Sequence, residues 1–232
     1  MGACPHPLIK GARSLHKLLS IGSLGKRLGT ARKRRTGAHR GLYGYAVDFL
    51  GKVRSGKKVR ADYIDRAMLG HVLAALMPAN ALAIEVSAHT GLRIGDVLSL
   101  RTAELRQRMS VREEKTGKRR RIYLPADLLD RLIAQAGRIW VFEGRTDYRR
   151  HRTRQAVWKD LRRAADAFRL AEHVSPHSAR KLYAVEQYQE SGGDLGAVQR
   201  RLLHSDPAVT AVYAMADALT ARRLQGRKRR AR

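Results

Sequence analysis

The longest apolar stretch of the chain restricts its fold more than any other feature. Residues 68–88 read MLGHVLAALMPANALAIEVSA, and an apolar run of this length raises the question of a membrane span. Pro78, Asn80 and Glu85 interrupt the run. We therefore predict two helices of a soluble core that are separated near Pro78, and no contact with a membrane.

The two helices differ in how much of their surface is apolar. The first begins after residue 60 and is ended by Pro78. Its apolar face consists of Ile64, Met68, Val72 and Leu76. The second, at about 79–90, is apolar on nearly all sides, and such a helix is buried. Gly91 follows in the position where a left-handed glycine commonly ends a helix, so we expect the second helix to lie in the core.

The rest of the pattern predicts helices and one hairpin. Residues 109–125 are typical of two short strands around a Lys-Thr-Gly-Lys turn, and a short apolar run lies at 139–142. Helices are predicted at about 94–100, 126–136, 153–168, 178–191, 195–203 and 207–219. The predicted fold class is α+β, mostly α-helical, with one small antiparallel β-sheet.

The helix at about 153–168 is strongly amphipathic. Its apolar stripe consists of Val157, Leu161, Ala164 and Phe168. Arg162 and Arg163 fall on the opposite side, where we expect them to face water or DNA.

The charge of the chain is extreme and unevenly distributed. The chain has 48 Lys and Arg against 20 Asp and Glu, a net charge of +28. Residues 1–60 hold 15 basic residues and 1 acidic residue, and residues 221–232 hold 7 basic and none acidic. Such an excess indicates a polyanionic partner; nucleic acid is the commonest, and an acidic membrane surface is the lesser alternative.

Several classes of chemistry are disfavoured. Cys4 is the only cysteine, so neither an internal disulfide nor a cysteine zinc site is possible, and a reducing compartment fits. The first thirty residues show no signal-peptide pattern. Phosphate-binding glycine loops, G-x-S-x-G and H-E-x-x-H motifs and acidic metal clusters are missing. We expect a cytoplasmic protein that performs neither nucleotide hydrolysis nor two-metal nuclease chemistry.

Cations and histidines stand at predicted helix edges and in the hairpin. They are Arg93, Lys115, His177, Arg180 and His204. Planar guanidinium groups neutralise the non-bridging oxygens of a phosphodiester with paired hydrogen bonds. A tyrosine hydroxyl attacks well only beside a base and positive charge, and Tyr213 follows His204 by nine positions.

Three motifs, in this order, resemble those of the tyrosine recombinases, the phage integrase family. They are HTGLRIGDVLSLR at 89–101, EKTGKRRRIYLP at 114–125, and SPHSARKLYAVEQYQESGGDLGAVQRRLLHSDPAVTAVYA at 175–214. The resemblance covers roughly residues 61–219. It implies a helical catalytic domain that needs neither a metal nor another cofactor.

The resemblance also implies a role for each candidate residue. Tyr213 would attack the scissile phosphate and form a 3′-phosphotyrosine link, while Arg93 and Arg180 hold the non-bridging oxygens. His204 would donate a further hydrogen bond to the phosphate. Lys115 would protonate the departing 5′ oxygen, and His177 would assist proton transfer at the tyrosine. Asp96, which matches the family's acidic position, would orient these groups without touching DNA.

Further cations are expected to bind DNA. They are Lys118, Arg119, Arg120 and Arg121 in the hairpin, and Arg32, Lys33, Arg34 and Arg35 in the densest basic run. The chain departs from the family in two respects. Leu203 stands where the family usually has Gly, and only about 60 residues precede the catalytic pattern in place of a separate helical domain. We expect residues 1–60 to form a basic segment, partly disordered or a DNA-binding arm that replaces that domain by binding phosphates.

The resemblance predicts a site-specific DNA recombinase or integrase that acts on double-stranded DNA. Strand exchange in this family uses four protomers, so a homo-tetramer on DNA is implied, with accessory DNA-bending or directionality factors. The alternatives are a type IB topoisomerase-like or hairpin-resolving enzyme, and a DNA-binding architectural or regulatory protein. The basic tail at 220–232 either docks on a neighbouring protomer or binds phosphates as a loose extension.

Overall fold

A computed structural model describes residues 61–230 of the chain. The basic segment 1–60, with Arg32, Lys33, Arg34 and Arg35, lies outside the described residues. The helices are α1 (Arg66–Ala74), α2 (Pro78–Thr90), α3 (Ile94–Leu98), α4 (Ala126–Gln135), α5 (Arg154–Ala167), α6 (Pro176–Glu190), α7 (Leu195–Leu202), α8 (Pro207–Ala214) and α9 (Ala216–Arg230). Strands β1 (Arg108–Arg112) and β2 (Arg119–Tyr123) form an antiparallel pair. The predicted mostly helical fold with one small sheet is confirmed.

Helix α2 lies in the core, as its all-round apolar surface predicts. Most of its side chains are buried, and it packs chiefly against α6. Gly91 ends α2 with a φ of 65°, the left-handed conformation that glycine adopts without steric cost. A Cβ at this position would overlap the ring of Tyr183 on α6. A glycine is therefore needed here for two reasons: the left-handed backbone, and the close approach of α6 to the end of α2.

The boundary near Pro78 differs from the prediction. Helix α1 already ends at Ala74, and Pro78 is the first residue of α2. Proline suits that position because its missing N–H would have no intrahelical partner there. Ile64 is buried, but it precedes α1, which begins after the capping residue Asp65.

The hairpin has the predicted turn and alternates strictly. Met109 and Val111 in β1, and Arg120 and Ile122 in β2, are buried on one face of the hairpin. The strand residues between them are exposed. Gly117 supplies the positive φ of the turn. The hairpin therefore has one face against the helices and one face toward solvent.

Three of the four residues predicted for the apolar stripe of α5 are buried. Val157, Leu161 and Ala164 are buried, whereas Phe168 is 48% exposed. Phe168 caps the end of α5, where its N–H still donates to the Ala164 carbonyl, and the left-handed Arg169, with a φ of 52°, follows it. Arg162 and Arg163 lie at the surface and pair with Asp166 and Asp160.

The single helix predicted at 207–219 is two helices. Met215, with φ −104° and ψ 20°, separates α8 from α9. Helix α9 continues through the predicted tail to Arg230 and is tied to its own chain. The Tyr63 N–H donates to Thr220 Oγ1 at 2.9 Å, and Arg223 pairs with Asp62 at 2.5 Å. The tail is therefore helical to Arg230, and its part from Thr220 to Arg223 is held against the rest of the domain.

The apolar stretch 68–88 forms two helices, as predicted. Within residues 61–230, no helix combines the length and the apolar composition that a membrane crossing requires.

Candidate active site

Two arginines meet at the end of α2. Arg180, on the second turn of α6, is 1% exposed and donates to the carbonyls of Gly91 at 2.5 Å and Leu202 at 2.8 Å. Arg93 is the residue before α3. Burial, together with the charge of Arg93, lowers the pKa of the Arg180 guanidinium to about 10, which leaves it charged near neutral pH. The left-handed turn at Gly91 thus places the two cations near each other: its carbonyl accepts from Arg180, and Arg93 follows two positions later.

A buried carboxylate that the sequence analysis missed holds these arginines. Glu113 is fully buried and accepts hydrogen bonds at Oε2 from Arg93 Nη1 at 2.5 Å and from Thr116 Oγ1 at 2.9 Å. Its Oε1 lies 3.9 Å from Arg180 Nη1 and has no hydrogen-bond partner. The alternation of β1 contains the signal, because Met109, Val111 and Glu113 fall on one face. A carboxylate on an inward face needs a cation beside it.

Arg120 lies on this inner face too and is buried, so the structure does not support its prediction as a DNA contact. Its side chain donates to the carbonyl of Thr90, lies 3.5 Å from the Tyr183 hydroxyl and stacks over the Tyr183 ring at 5.6 Å. Burial lowers the pKa of Arg120. The other predicted hairpin cations, Lys118, Arg119 and Arg121, are exposed. Successive side chains of β2 point to opposite faces of the hairpin, so Arg120 points inward and its neighbours Arg119 and Arg121 point outward.

His204 follows the left-handed residue that ends α7. Leu203 has a φ of 51° and a ψ of 35°, a conformation that costs a non-glycine residue about 1–2 kcal/mol. This backbone geometry accounts for the glycine that the family usually has there. The Arg180 guanidinium lies 3.2 Å from His204 Nε2, and Nδ1 lies 3.2 Å from Thr210 Oγ1.

These contacts fix the state of the imidazole. Burial, together with the charges of Arg180 and Arg93, lowers the pKa of His204 to about 4, so the ring is neutral near pH 7. Arginine can only donate, so we infer that Nε2 accepts and that the proton is on Nδ1. In this arrangement His204 orients Arg180. The predicted hydrogen bond to phosphate requires His204 to move its proton to Nε2.

Tyr213 lies on the last turn of α8 beside both histidines. Its hydroxyl is 3.3 Å from His177 Nδ1, and its ring meets the His204 ring edge-on at 5.1 Å. Burial raises the pKa of the Tyr213 hydroxyl, and Arg180 and Arg93 oppose that rise. Burial, followed by the charge of Arg180, lowers the pKa of His177, so His177 is a neutral proton acceptor. Asp206 caps the start of α8, and Pro207 is its first residue.

The hairpin turn brings Lys115 to the edge of this cluster. Lys115 is exposed and lines a cleft of about 450 Å³ together with Arg93, His177 and Arg180. Asp96, 2% exposed, accepts a hydrogen bond from the Glu114 N–H at 2.9 Å, and burial raises its pKa. Asp96 thus attaches α3 to the residue before Lys115.

The family of this chain follows from its similarity to known proteins. The model of the phage integrase family matches residues 65–219. This chain belongs to that family. A tyrosine recombinase XerD from Lacticaseibacillus casei is 30% identical over 143 residues, which are 56% of this chain and 47% of the relative. The chain spans about half the length of the curated relatives it matches.

Solved structures share the fold of this integrase-family chain. A crystal structure of a lambda integrase dimer bound to a COC′ core site superposes with a TM-score of 0.57 at 20% identity, over 74% of this chain and 68% of that chain. The catalytic domain of bacteriophage HP1 integrase has a TM-score of 0.52 at 18% identity, over 68% of this chain and 89% of that domain. The fold is therefore that of a tyrosine recombinase catalytic domain.

Within this integrase fold, the structure brings most of the predicted residues together. Hydrogen-bond contacts connect Arg180 to His204 and His177 to Tyr213. Arg93 reaches Arg180 through Glu113, and Lys115 lines the same cleft. The sequence analysis also missed Thr210, which contacts the His204 ring, and Lys181, whose Nζ lies 5.9 Å from the centre of the Tyr213 ring.

Proposed function

We propose that this protein is a site-specific DNA recombinase that cuts and rejoins duplex DNA through a covalent link to Tyr213. The observation that carries the proposal is the 3.3 Å distance from the Tyr213 hydroxyl to His177 Nδ1. The buried Arg180 and the half-buried Arg93 belong to the same site. A phenol whose pKa is raised needs a base to attack, and a neutral imidazole supplies one. The structural relatives include a lambda integrase dimer bound to a COC′ core site and a Tn1549 transposon integrase in complex with a circular intermediate DNA, which supports DNA as the substrate.

The first chemical step forms one bond and breaks one. The Tyr213 oxygen attacks the scissile phosphorus, and the bond from phosphorus to the 5′ oxygen breaks. His177 accepts the phenol proton at Nδ1, and Lys115 donates a proton to the 5′ oxygen, which leaves as a hydroxyl. The 3′-phosphotyrosine keeps the phosphodiester bond energy. Attack by a 5′ hydroxyl of another strand reverses the step, and the balance requires neither a metal nor a nucleotide.

The arginines stabilise the charge that develops on phosphorus. Arg93 and Arg180 donate to the non-bridging oxygens, which carry more negative charge in the transition state than in the ground state. His204 joins them once its proton is on Nε2. Glu113 keeps both guanidinium groups in place, and Asp96 keeps the Lys115 turn beside them. The two carboxylates act through other residues and do not touch the DNA.

A nicked suicide substrate tests the proposal. The DNA flanking the gene is the first choice of target, because a mobile element's recombinase acts at the ends of its own element. The wild-type protein should form a complex with DNA that survives denaturation, and Tyr213→Phe should form none. Tyr148→Phe, which changes an exposed tyrosine elsewhere, serves as the matched control. A covalent complex with Tyr213→Phe, or none with wild type, contradicts the proposal.

Strand exchange separates this function from its alternatives. A recombinase joins strands from two sites, whereas a topoisomerase-like enzyme relaxes supercoils and a hairpin resolvase closes ends. Recombination between two target sites on one plasmid is the expected result. We further propose that four protomers assemble on the paired sites, with accessory DNA-bending or directionality factors, and that the protein acts in the cytoplasm. An architectural or regulatory protein would bind the same DNA without cutting it.

A further inference from the structure

Six exposed arginines form one surface on the solvent side of the hairpin. They are Arg101, Arg106, Arg108, Arg112, Arg119 and Arg121, and we call this surface the arginine face. Together with Glu104, Ser110 and Tyr123 they line a shallow concavity of about 1350 Å³. Within residues 61–230, none of the six has a carboxylate within 4 Å, although Glu104 lies on the same surface.

The strand register places like charges against one another. Arg112 stands directly opposite Arg119. The next outward pair is Ser110 with Arg121, and the one after it is Arg108 with Tyr123. Like charges in directly opposite positions destabilise a sheet. The fold therefore gains nothing from the Arg112–Arg119 pair, and no carboxylate among residues 61–230 forms an ion pair with either arginine.

The arginine face points away from the candidate active site. Successive side chains of a strand alternate between its two faces, and Arg120 reaches inward to Thr90 and Tyr183. Arg119 and Arg121 consequently point outward. Among residues 61–230, no residue that lines the arginine face also lines the cleft beside Lys115. The two surfaces therefore serve different contacts.

We propose that the arginine face binds a stretch of duplex DNA other than the stretch whose scissile phosphate lies at Tyr213. This inference rests on the proposed function, because it takes duplex DNA as the polyanion. Guanidinium groups match phosphate oxygens with paired hydrogen bonds. A two-stranded ribbon is one of the elements that the major groove of DNA admits, and the outward side chains of each strand are about 7 Å apart along it. In a reaction that joins two sites, such a surface holds a second duplex near the first.

The number of short duplexes bound per chain tests this inference. The parent protein for the experiment is Tyr213→Phe, so that no DNA is cut, and binding of a fluorescent duplex is followed by sedimentation. The parent should bind two duplexes per chain. Adding Arg108→Gln and Arg112→Gln should leave one. The matched control, Arg145→Gln with Arg150→Gln, removes the same charge from another exposed loop and should keep two.

The salt dependence and the chemistry supply independent measurements. Removing two arginines that bind phosphate should reduce the slope of log affinity against log salt by about 2 for the second duplex, at about 0.9 per neutralised phosphate. With Tyr213 intact, Arg108→Gln with Arg112→Gln should form the covalent complex at the wild-type rate. Circular dichroism checks that both double variants are folded.

Three results would overturn the inference. The first is two duplexes still bound by the Arg108 and Arg112 variant. The second is a parallel loss of the first duplex and of the covalent complex, which would place the arginine face on the DNA already held at Tyr213. The third is one duplex per chain, with binding to phosphatidylserine vesicles that the same variant loses. If the chain binds two duplexes but the wild-type protein forms no covalent complex, the proposed function is contradicted and the inference about the arginine face is not.

Discussion

The side chain of Glu113 lies between two arginines and carries the only negative charge in direct contact with Arg93 among the described residues. A carboxylate beside a cation offsets part of its electrostatic attraction for an anion, but it also fixes the position of the cation. If Arg93 binds the phosphate as proposed, it shares Glu113 with that phosphate. We therefore propose that Glu113 is a positioning residue, whose effect should fall on the rate of cleavage more than on DNA binding.

Glu113→Gln should reduce the rate of covalent-complex formation about 10- to 100-fold, the loss expected for a charged hydrogen bond worth about 1.5–3 kcal/mol. DNA affinity should change little, because the amide keeps the shape and removes a repulsive charge. Single-turnover cleavage and equilibrium binding measure the two effects. Glu190→Gln, at the exposed end of α6, is the control. Equal losses in rate and affinity would show that Glu113 has no specific positioning role.

The half-buried imidazole of His204 predicts a dependence of stability on pH. Its pKa is lowered from 6.5 to about 4 in the folded protein, so between these values the unfolded chain binds the proton and the folded chain does not. The free energy of unfolding should consequently fall as pH drops from about 6.5 toward about 4. His177, whose pKa is lowered too, acts in the same direction. Urea unfolding across this range should show a flatter profile for His204→Asn, and an unchanged profile would contradict the account.

Single residues divide clearly into those that the sequence reveals and those that it hides. Tyr213, Arg93, Arg180 and the histidines were predicted because their spacing resembles that of the family, and the structure places them close together. Arg120 was placed outside, and Glu113 was overlooked, because a run of charged residues hides the alternation of a strand. Only the contacts with Thr90 and Arg93 show that both side chains point inward.

At the level of helices and strands, the end of α2 is the junction on which the site depends. Gly91 turns the chain so that its carbonyl accepts from Arg180 and so that Arg93 begins α3. Helix α8 then brings Tyr213 to the same place. The sequence predicted these elements, because apolar periodicity and capping residues are local signals. The break at Met215 and the exposure of Phe168 could not be predicted, because they depend on how the chain packs after each helix ends.

Gly91→Ala should reduce the free energy of unfolding by more than about 2 kcal/mol. The left-handed backbone costs about 1–2 kcal/mol for a non-glycine residue, and the overlap with the Tyr183 ring adds to it. Gly70→Ala is the matched control, because a Cβ there meets nothing within 4 Å in the middle of α1. That change should raise stability by about 0.5–1 kcal/mol. Similar effects of the two substitutions in urea unfolding would refute this role of Gly91.

For the molecule as a whole, charge is the dominant property. The described catalytic domain carries only part of the net charge of +28, and residues 1–60 carry much of the rest. We propose that this segment binds DNA phosphates. The fold and the order of the motifs were predictable from sequence. The inward and outward faces of the hairpin, which separate the active site from the arginine face, became clear only from the structure.

Deletion of residues 1–40, which hold 10 basic residues, should weaken DNA binding and reduce its salt dependence by about 0.9 in slope for each phosphate that the shortened protein no longer neutralises. The covalent complex should still form at saturating DNA, because all of the candidate active-site residues remain. Fluorescence anisotropy across a salt series measures the affinity. Unchanged affinity and slope would contradict a DNA-binding role for this segment.

The identity of the residue joined to DNA tests the central claim most directly. The covalent complex formed on a suicide substrate would be digested with protease and nuclease, and the nucleotide-bearing peptide would be sequenced by mass spectrometry. The account predicts that the nucleotide is joined through a 3′ phosphate to the oxygen of Tyr213, in the peptide that contains α8. A nucleotide attached to any other residue, or to Tyr213 through a 5′ phosphate, would contradict it.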